Sequence, residues 1–325
     1  MRKVALLGAA LLACAGVGTA EERHAGLPAY MKVSAVLVVS PDRVLVAGHT
    51  LPDGSLGPIQ AREPRIYAFE RGPATLAWGE GVGWIIAAAG REGTVWAVRA
   101  RLRPEGSGSL YDLLLSLDGG VSWRERGPVP ATSLTSVAVA GGGTGWAHGA
   151  NNLWRTEDDG VTWVAISAPG RRDSAREQLV ALGPQTALLA GTSLLRTDDG
   201  GDTWRVLTTD RVDVTDGRFV GGAAPGGVRV GRLQPNGVHW GATFPGTLLA
   251  KRVVSEGERV TVLASEVGDR PGSGPVLLRS TDGGATLAAE PVRGPLDASY
   301  YELAGPDGLV FVDQGRTLRV RTLPH

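Results

Sequence analysis

The chain has 325 residues, 42% hydrophobic and 20% charged, and its 33 Lys+Arg balance 33 Asp+Glu, so no bulk charge draws it to nucleic acid or an acidic membrane. With 48 Gly and 20 Pro in a chain this apolar, it is neither collagen-like nor disordered, and many short strands joined by tight turns are expected. The single Cys excludes an internal disulfide, while the length allows one large domain or two ordinary ones.

The chain begins with Arg2 and Lys3, an uncharged apolar stretch over 4–17, and the small residues Gly18-Thr19-Ala20 ahead of Glu21. This predicts an export signal over 1–20 and a mature part over 21–325. The stretch is shorter than the ~20 apolar residues a membrane span needs. Leu11-Leu12-Ala13-Cys14 also has the form of a bacterial lipobox, which would make Cys14 a lipidated N-terminus followed by a tether over 15–27. Either way the protein is expected in the periplasm or outside the cell. Any membrane contact would come only through that anchor.

Beyond this segment the chain repeats. Residues 153–163 read Leu-Trp-Arg-Thr-Glu-Asp-Asp-Gly-Val-Thr-Trp, and 194–204 read Leu-Leu-Arg-Thr-Asp-Asp-Gly-Gly-Asp-Thr-Trp. The shared pattern S/T-x-D-x-G-x-T/S-W places Ser116, Asp118, Gly120 and Trp123 in one copy, and Thr156, Asp158, Gly160 and Trp163 in the next. Thr197, Asp199, Gly201 and Trp204 form a third copy; Ser280, Asp282 and Gly284 form a fourth, with Leu287 in place of Trp. The aspartates are spaced by 40, 41 and 83, and the double gap hides a degenerate copy at Gly237-Val238-His239-Trp240, with Pro235 where Asp should stand. A sixth, weaker copy lies at Glu70-Arg71-Gly72. The carboxylate and hydroxyl suit backbone N–H groups of a turn, Gly supplies positive φ, and Trp covers a joint. The aspartates are therefore expected to be structural, not catalytic.

In chain order, the first unit is expected over 34–79 and the second over 82–127. The third has strands at 135–140, 145–149, 152–156 and 161–167. The fourth has strands at 177–182, 186–190, 193–197 and 203–207. The fifth follows over 212–245 and the sixth over 248–293. The seventh, over 298–323, shows only three strands (300–303, 309–313 and 317–322), and 27–33 is expected to supply its fourth.

The repeated pattern resembles the Asp-box, or bacterial neuraminidase repeat. That resemblance implies hairpins between the third and fourth strands of propeller blades, hence an all-β, seven-bladed β-propeller closed by an N-terminal strand. Gly145-Trp146-Ala147-His148-Gly149 followed by the box is similar to the photosystem II stability/assembly-factor type. It implies an exported, non-catalytic scaffold that binds a protein partner, without implying the photosystem itself. The alternatives are a carbohydrate- or envelope-binding module and a sialidase-like glycoside hydrolase.

Residues speak against the enzyme. Pro64-Arg65-Ile66-Tyr67 has the letters of a sialidase element in the wrong order, and Tyr300 and Tyr301, which begin an inner strand ahead of Glu302, are expected to fill the ring centre with their aromatic rings. No pair of facing carboxylates stands out. The five histidines lack ligand spacing, and His148 is expected as a surface or groove residue on a strand. Glycine runs precede strands, not helices, and so are turns and not phosphate cradles. No catalytic residue, metal or cofactor is expected. The protein is expected to be a monomer whose partner is a protein of the exported compartment, with a glycan as the alternative and no nucleic acid.

Three connections between second and third strands are expanded, at 50–63, 103–110 and 266–275. Long loops on a rigid scaffold carry binding. They predict a loop-face site built by Asp53, Gln60, Arg62, Arg103, Glu105, Asp269 and Arg270.

Overall fold

The computed structural model describes residues 25–28, 30–40, 42–51, 61–70, 73–105, 108–149, 152–167, 177–266, 275–292, 300–303, 305, 308–312 and 317–322. Among these, all regular structure is β-strand, in seven four-stranded antiparallel sheets. Six sheets take consecutive strands: the first from Met31–Ser40 to Thr75–Trp78, the second from Trp84–Arg91 to Arg124–Pro128, the third from Ser136–Gly141 to Val164–Ile166. The fourth runs from Gln178–Ala181 to Arg205–Thr208, the fifth from Val214–Thr215 to Gly237–Pro245, the sixth from Leu248–Glu256 to Ala288–Pro291.

The seventh sheet joins the two ends of the chain. Tyr300–Leu303, Gly308–Val312 and Thr317–Thr322 are completed by Ala25–Gly26, whose residues pair with Leu318 and Thr317. The closing strand was expected at 27–33. Past Gly26 the Met31 N–H instead donates to the Pro28 carbonyl at 3.3 Å and Tyr30 takes φ 65°. Met31 and Val33 then enter the first sheet opposite Thr50 and Gly48. A turn between the two segments prevents one strand from serving both sheets.

Apolar clusters lie in the joints between consecutive sheets. Leu45, Ile66, Ile85 and Leu114 join the first two; Trp96, Leu113, Val137 and Trp154 join the next pair. Further clusters join the third to the fourth, the fourth to the fifth, the fifth to the sixth and the sixth to the seventh. A separate cluster between the seventh and first sheets brings Met31 and Val36 against Val310 and Leu318, closing the ring. Each sheet is thus covered on both faces, which explains why Leu113, Leu114 and Leu115 are consecutive yet all fully buried. Each such side chain contributes about 2 kcal/mol of hydrophobic stabilisation.

The repeated turn fastens these joints. Gly120 N–H donates to the Ser116 hydroxyl at 2.7 Å, and Ser122 N–H donates to Asp118 Oδ1 at 2.9 Å. The same bonds recur at Thr156/Asp158, Thr197/Asp199 and Ser280/Asp282. Gly160 takes φ 83°, and a Cβ there would lie 2.2 Å from Leu113 of the preceding sheet. Trp163 meets Trp96 of that sheet edge-on at 5.9 Å, and Trp204 meets Trp146 at 6.3 Å. In the fifth sheet, by contrast, Trp240 donates its indole N–H to Asp210 at 2.8 Å.

Backbone bonds sort the loops onto two faces. The repeated turns are tied to the first hairpins of their own sheets, as in Asp159 N–H to Gly143 O at 2.8 Å and Gly200 N–H to Gln185 O at 2.8 Å. On the other face the connections between sheets meet the second-to-third-strand loops, as in Gly83 N–H to Arg62 O at 2.8 Å and Val212 N–H to Gly191 O at 2.9 Å.

Candidate functional site

On this second face, an arginine–tryptophan wall stands between the first two sheets. Arg99 and Arg101 are two residues apart on Thr94–Leu102 and so share one face of the strand, while Asp112 pairs across from Arg99. Arg99 reaches Asp112 at 2.9 Å and Glu125 at 2.9 Å; Arg101 reaches Asp112 at 2.6 Å. Burial alone would raise the Asp112 pKa, but the hydrogen bonds and charges of Arg101 and Arg99 outweigh it and hold the carboxyl below its ordinary value. Asp112 is therefore an anion fixed between two cations. Arg99 also lies 5.9 Å over Trp78, and Arg62 lies 5.5 Å over Trp84. Such contacts contribute about 1 kcal/mol each and hold the guanidinium planes in place.

Arg62 carries a further constraint. Its Nε is buried without a hydrogen-bond partner. Close by, His49 is 3% exposed and its pKa is lowered to about 4, by burial first and then by the charges of Arg62 and Lys32. The group stays neutral at pH 7, leaving the local field to the arginines.

Of the loop-face residues expected from sequence, Arg62 is in this wall. Arg103 and Glu105 pair with each other at 3.8 Å, and among the described residues no hydrogen bond or ion pair joins them to Arg62. Asp53, Gln60, Asp269 and Arg270 lie outside the described residues, as does Cys14. Sequence reasoning missed Arg99, Arg101 and Asp112 because it looked for function in loops. The available signal was an Arg-Ala-Arg pair inside an apolar strand.

A second feature is the central channel, a cavity of about 810 Å³ lined by the first strands of all seven sheets. Among the described lining residues its arc over sheets one to three carries no charged side chain, with Val36, Leu37, Ile86 and Ala87 in the lining. Over sheets four to seven the lining carries the carboxylates Glu177, Asp213, Asp216, Glu256 and Glu302. Three cations, Arg211, Lys251 and Arg252, share that arc. On the repeated-turn side, Arg91 donates to Ala181 O at 3.1 Å, linking the second sheet to the fourth.

His148 departs from its expected surface or groove position on a strand and is 0% exposed. It pairs through Nε2 with Glu177 at 2.8 Å and through Nδ1 with the Thr135 hydroxyl at 2.8 Å. The hydroxyl–imidazole–carboxylate chain spans the joint between the third and fourth sheets. Burial with both ring nitrogens engaged makes it a fastening of that joint. Among the described residues there is no group of three or more His, Cys, Asp or Glu side chains placed to hold a metal. Among the described residues no helix is long and apolar enough to cross a membrane.

Antiparallel four-stranded sheets ranged round a channel, with the last completed by the chain's other end, define a β-propeller. Over 110 residues the chain is 34% identical to the photosystem II assembly protein Ycf48 of Synechococcus sp. (strain JA-2-3B'a(2-13)), a match covering 32% of this chain and 33% of that relative. Among solved structures it is similar to YCF48 bound to D1 peptide, with TM-score 0.60 and 16% identity over 94% of this chain and 95% of the other. It is also similar to the GH74 xyloglucanase from Xanthomonas campestris, with TM-score 0.57 and 13% identity over 94% of this chain and 54% of the enzyme. At such identities these structures establish the fold. No family model matches the chain.

Proposed function

We propose that this protein is an exported, non-catalytic scaffold or assembly factor, a single propeller over 21–325, that binds a protein segment on the loop face between its first two sheets. The observation that carries the reading is the wall itself: Arg62, Arg99 and Arg101 are held in fixed orientations by Trp84, Trp78 and Asp112. Pre-set guanidinium planes suit carboxylates and backbone carbonyls of an extended segment, because little side-chain entropy remains to be lost on binding. Arg103 and Glu105 stand on the neighbouring loop and would meet the same segment. The similarity to Ycf48, seen in complex with a peptide, supports a peptide-like ligand over a small substrate.

A sugar-binding surface needs open aromatic faces. Here Trp78, Trp84, Trp146 and Trp240 each carry an arginine over the ring, the last at 3.8 Å. That arrangement favours the protein-binding reading over the glycan one. The experiment is capture of partners by the tagged monomeric protein in its native host, comparing the natural chain with Arg62→Ala/Arg101→Ala and with a deletion of 104–109. Loss of the same partner in both variants is expected. Unchanged capture, or turnover of a fluorogenic sialoside or glycoside panel, would overturn the proposal.

A further inference from the structure

The channel is built differently from the wall, and its unfilled acceptors point to a ligand of their own. Asp213 and Asp216 flank the short first strand of the fifth sheet, Val214–Thr215, at its two ends. The Asp213 side chain is only 9% exposed; its Oδ1 accepts from Arg211 at 2.7 Å, but its Oδ2 is buried and without a partner. Asp216 repeats the pattern: Oδ1 accepts the N–H groups of Arg218 and Phe219 at 2.8 Å each, and Oδ2 is buried and unpartnered.

Two hydroxyls of the lining share this condition. Ser136 begins the first strand of the third sheet, and Ser255 stands near the end of that of the sixth, 4% exposed; neither Oγ has a hydrogen-bond partner. The first strands all run from the loop face toward the repeated-turn face. Asp213 and Ser136 therefore belong to one end of the channel, and Asp216 and Ser255 to the other. Three residue steps of extended chain, at roughly 3.3 Å each, put the two aspartates about 10 Å apart along the strand.

A buried acceptor left without a donor is costly, and a carboxylate oxygen accepts, so each end calls for a hydrogen-bond donor carrying positive charge. The channel's cations do not meet this need. Arg211 is taken by Asp213 Oδ1, Arg252 by Glu302 at 2.9 Å, and Lys251 is an exposed residue of the sixth sheet's first strand. Between the two ends, the arc of sheets one to three offers only uncharged, mostly aliphatic surface. The volume of about 810 Å³ is that of a small-molecule pocket.

We infer that the channel is a second binding site, for an aliphatic diammonium ligand of the polyamine class. One ammonium sits at the Asp213 end and the other at the Asp216 end, with the methylene chain against the apolar arc. The inference does not rest on the loop-face reading, and partner capture is measured separately.

The test is calorimetric titration of the full chain with spermidine and with 1,8-diaminooctane. Saturable binding of both is expected. Octylamine should bind at least about tenfold more weakly, through loss of one charge-assisted contact, and 1,3-diaminopropane, too short to span both ends, likewise. Octane-1,8-diol should not bind. Asp213→Asn should weaken 1,8-diaminooctane about tenfold, and Asp213→Asn/Asp216→Asn about a hundredfold. Asn keeps the Oδ1 acceptor that Arg211 and the turn amides use, so the variants retain those bonds. The chain-length and diol comparisons stand on the natural protein alone. Absence of saturable binding at roughly 10 mM diamine, equal affinity for the monoamine or the diol, or no effect of the double substitution would overturn the site.

Discussion

Asp112 in the loop-face wall and Asp213 at the channel are both buried carboxylates, with side chains 3% and 9% exposed. Asp112 is gripped by Arg99 and Arg101, with Arg101 engaging both of its oxygens, whereas Asp213 keeps Oδ2 unpartnered. In the wall, the carboxylate's role is spent on orienting arginines, and on the proposed reading the arginines are what a partner would meet. At the channel, on the inference drawn above, the carboxylate itself is what a ligand would meet. The same residue type, on one ring of sheets, thus stands once as an internal counter-charge and once with a buried acceptor left unpartnered. The difference is set by whether cross-strand neighbours supply enough donors.

Breaking the wall should have the largest effect. Asp112→Ala leaves two arginines, one of them buried, without their common counter-ion and should destabilise the fold by about 3 kcal/mol in urea unfolding. Asp213→Asn should cost less than about 1 kcal/mol, because the bond to Arg211 survives. If the two substitutions cost the same, the contrast drawn above is wrong. Gly160→Ala calibrates the scale by striking a joint that belongs to neither region. A Cβ at φ 83° and 2.2 Å from Leu113 should cost about 2 kcal/mol while leaving both ligand affinities intact at low temperature.

Arg101→Ala separates the regions functionally. Its side chain is 41% exposed, so stability should fall by about 1 kcal/mol or less. Partner affinity should fall about tenfold, with diamine binding unchanged. The smallest effect is on pH dependence. His49 titrates near 4 in the fold against about 6.5 unfolded, so the unfolded chain binds more protons between those values and stability falls as pH drops from 6.5 to 4. His49→Leu should flatten that slope. A second loss follows between about pH 4 and 2, where the turn aspartates are protonated. Asp158 and Asp199 are held at about 2 by hydroxyl, then amide, hydrogen bonds from Thr162 and Thr203, and Asp282 is held there by the amide, then the hydroxyl, of Thr286. Their depressed pKa values stabilise the fold above about pH 4, and His49→Leu should leave this second step in place.

Much of the ring was legible in the sequence because its turn is chemically strict. A hydroxyl, a carboxylate two residues on and a glycine two further on recur wherever the hairpin does, so Ser116, Thr156, Thr197 and Ser280 mark their sheets directly. The fifth sheet lacks that hydroxyl–carboxylate–glycine signature and was placed by spacing and by the degenerate copy at Gly237-Val238-His239-Trp240. The closing strand was misplaced because Ala25–Gly26 is two residues long and carries no alternation to read. His148 was taken for a surface residue because its partner, Glu177, belongs to the next sheet, 29 positions on, and no local pattern reports that contact. The loop expectation found Arg62 but not Arg99 and Arg101, whose positions are set by cross-strand register with Asp112 rather than by loop length. The unfilled acceptors of the channel have no sequence signature at all. They emerge only once the first strands are brought together.

The central claim is that a protein partner docks on the loop face between the first two sheets. Its most direct test is photo-crosslinking in the native host from a benzophenone amino acid at Arg103, and separately at Val121 in a repeated turn on the opposite face, which is 63% exposed. A partner crosslinked from position 103, absent from position 121 and lost on adding Arg62→Ala/Arg101→Ala, is the predicted result. The same partner crosslinked from position 121 and not from 103 would contradict the account.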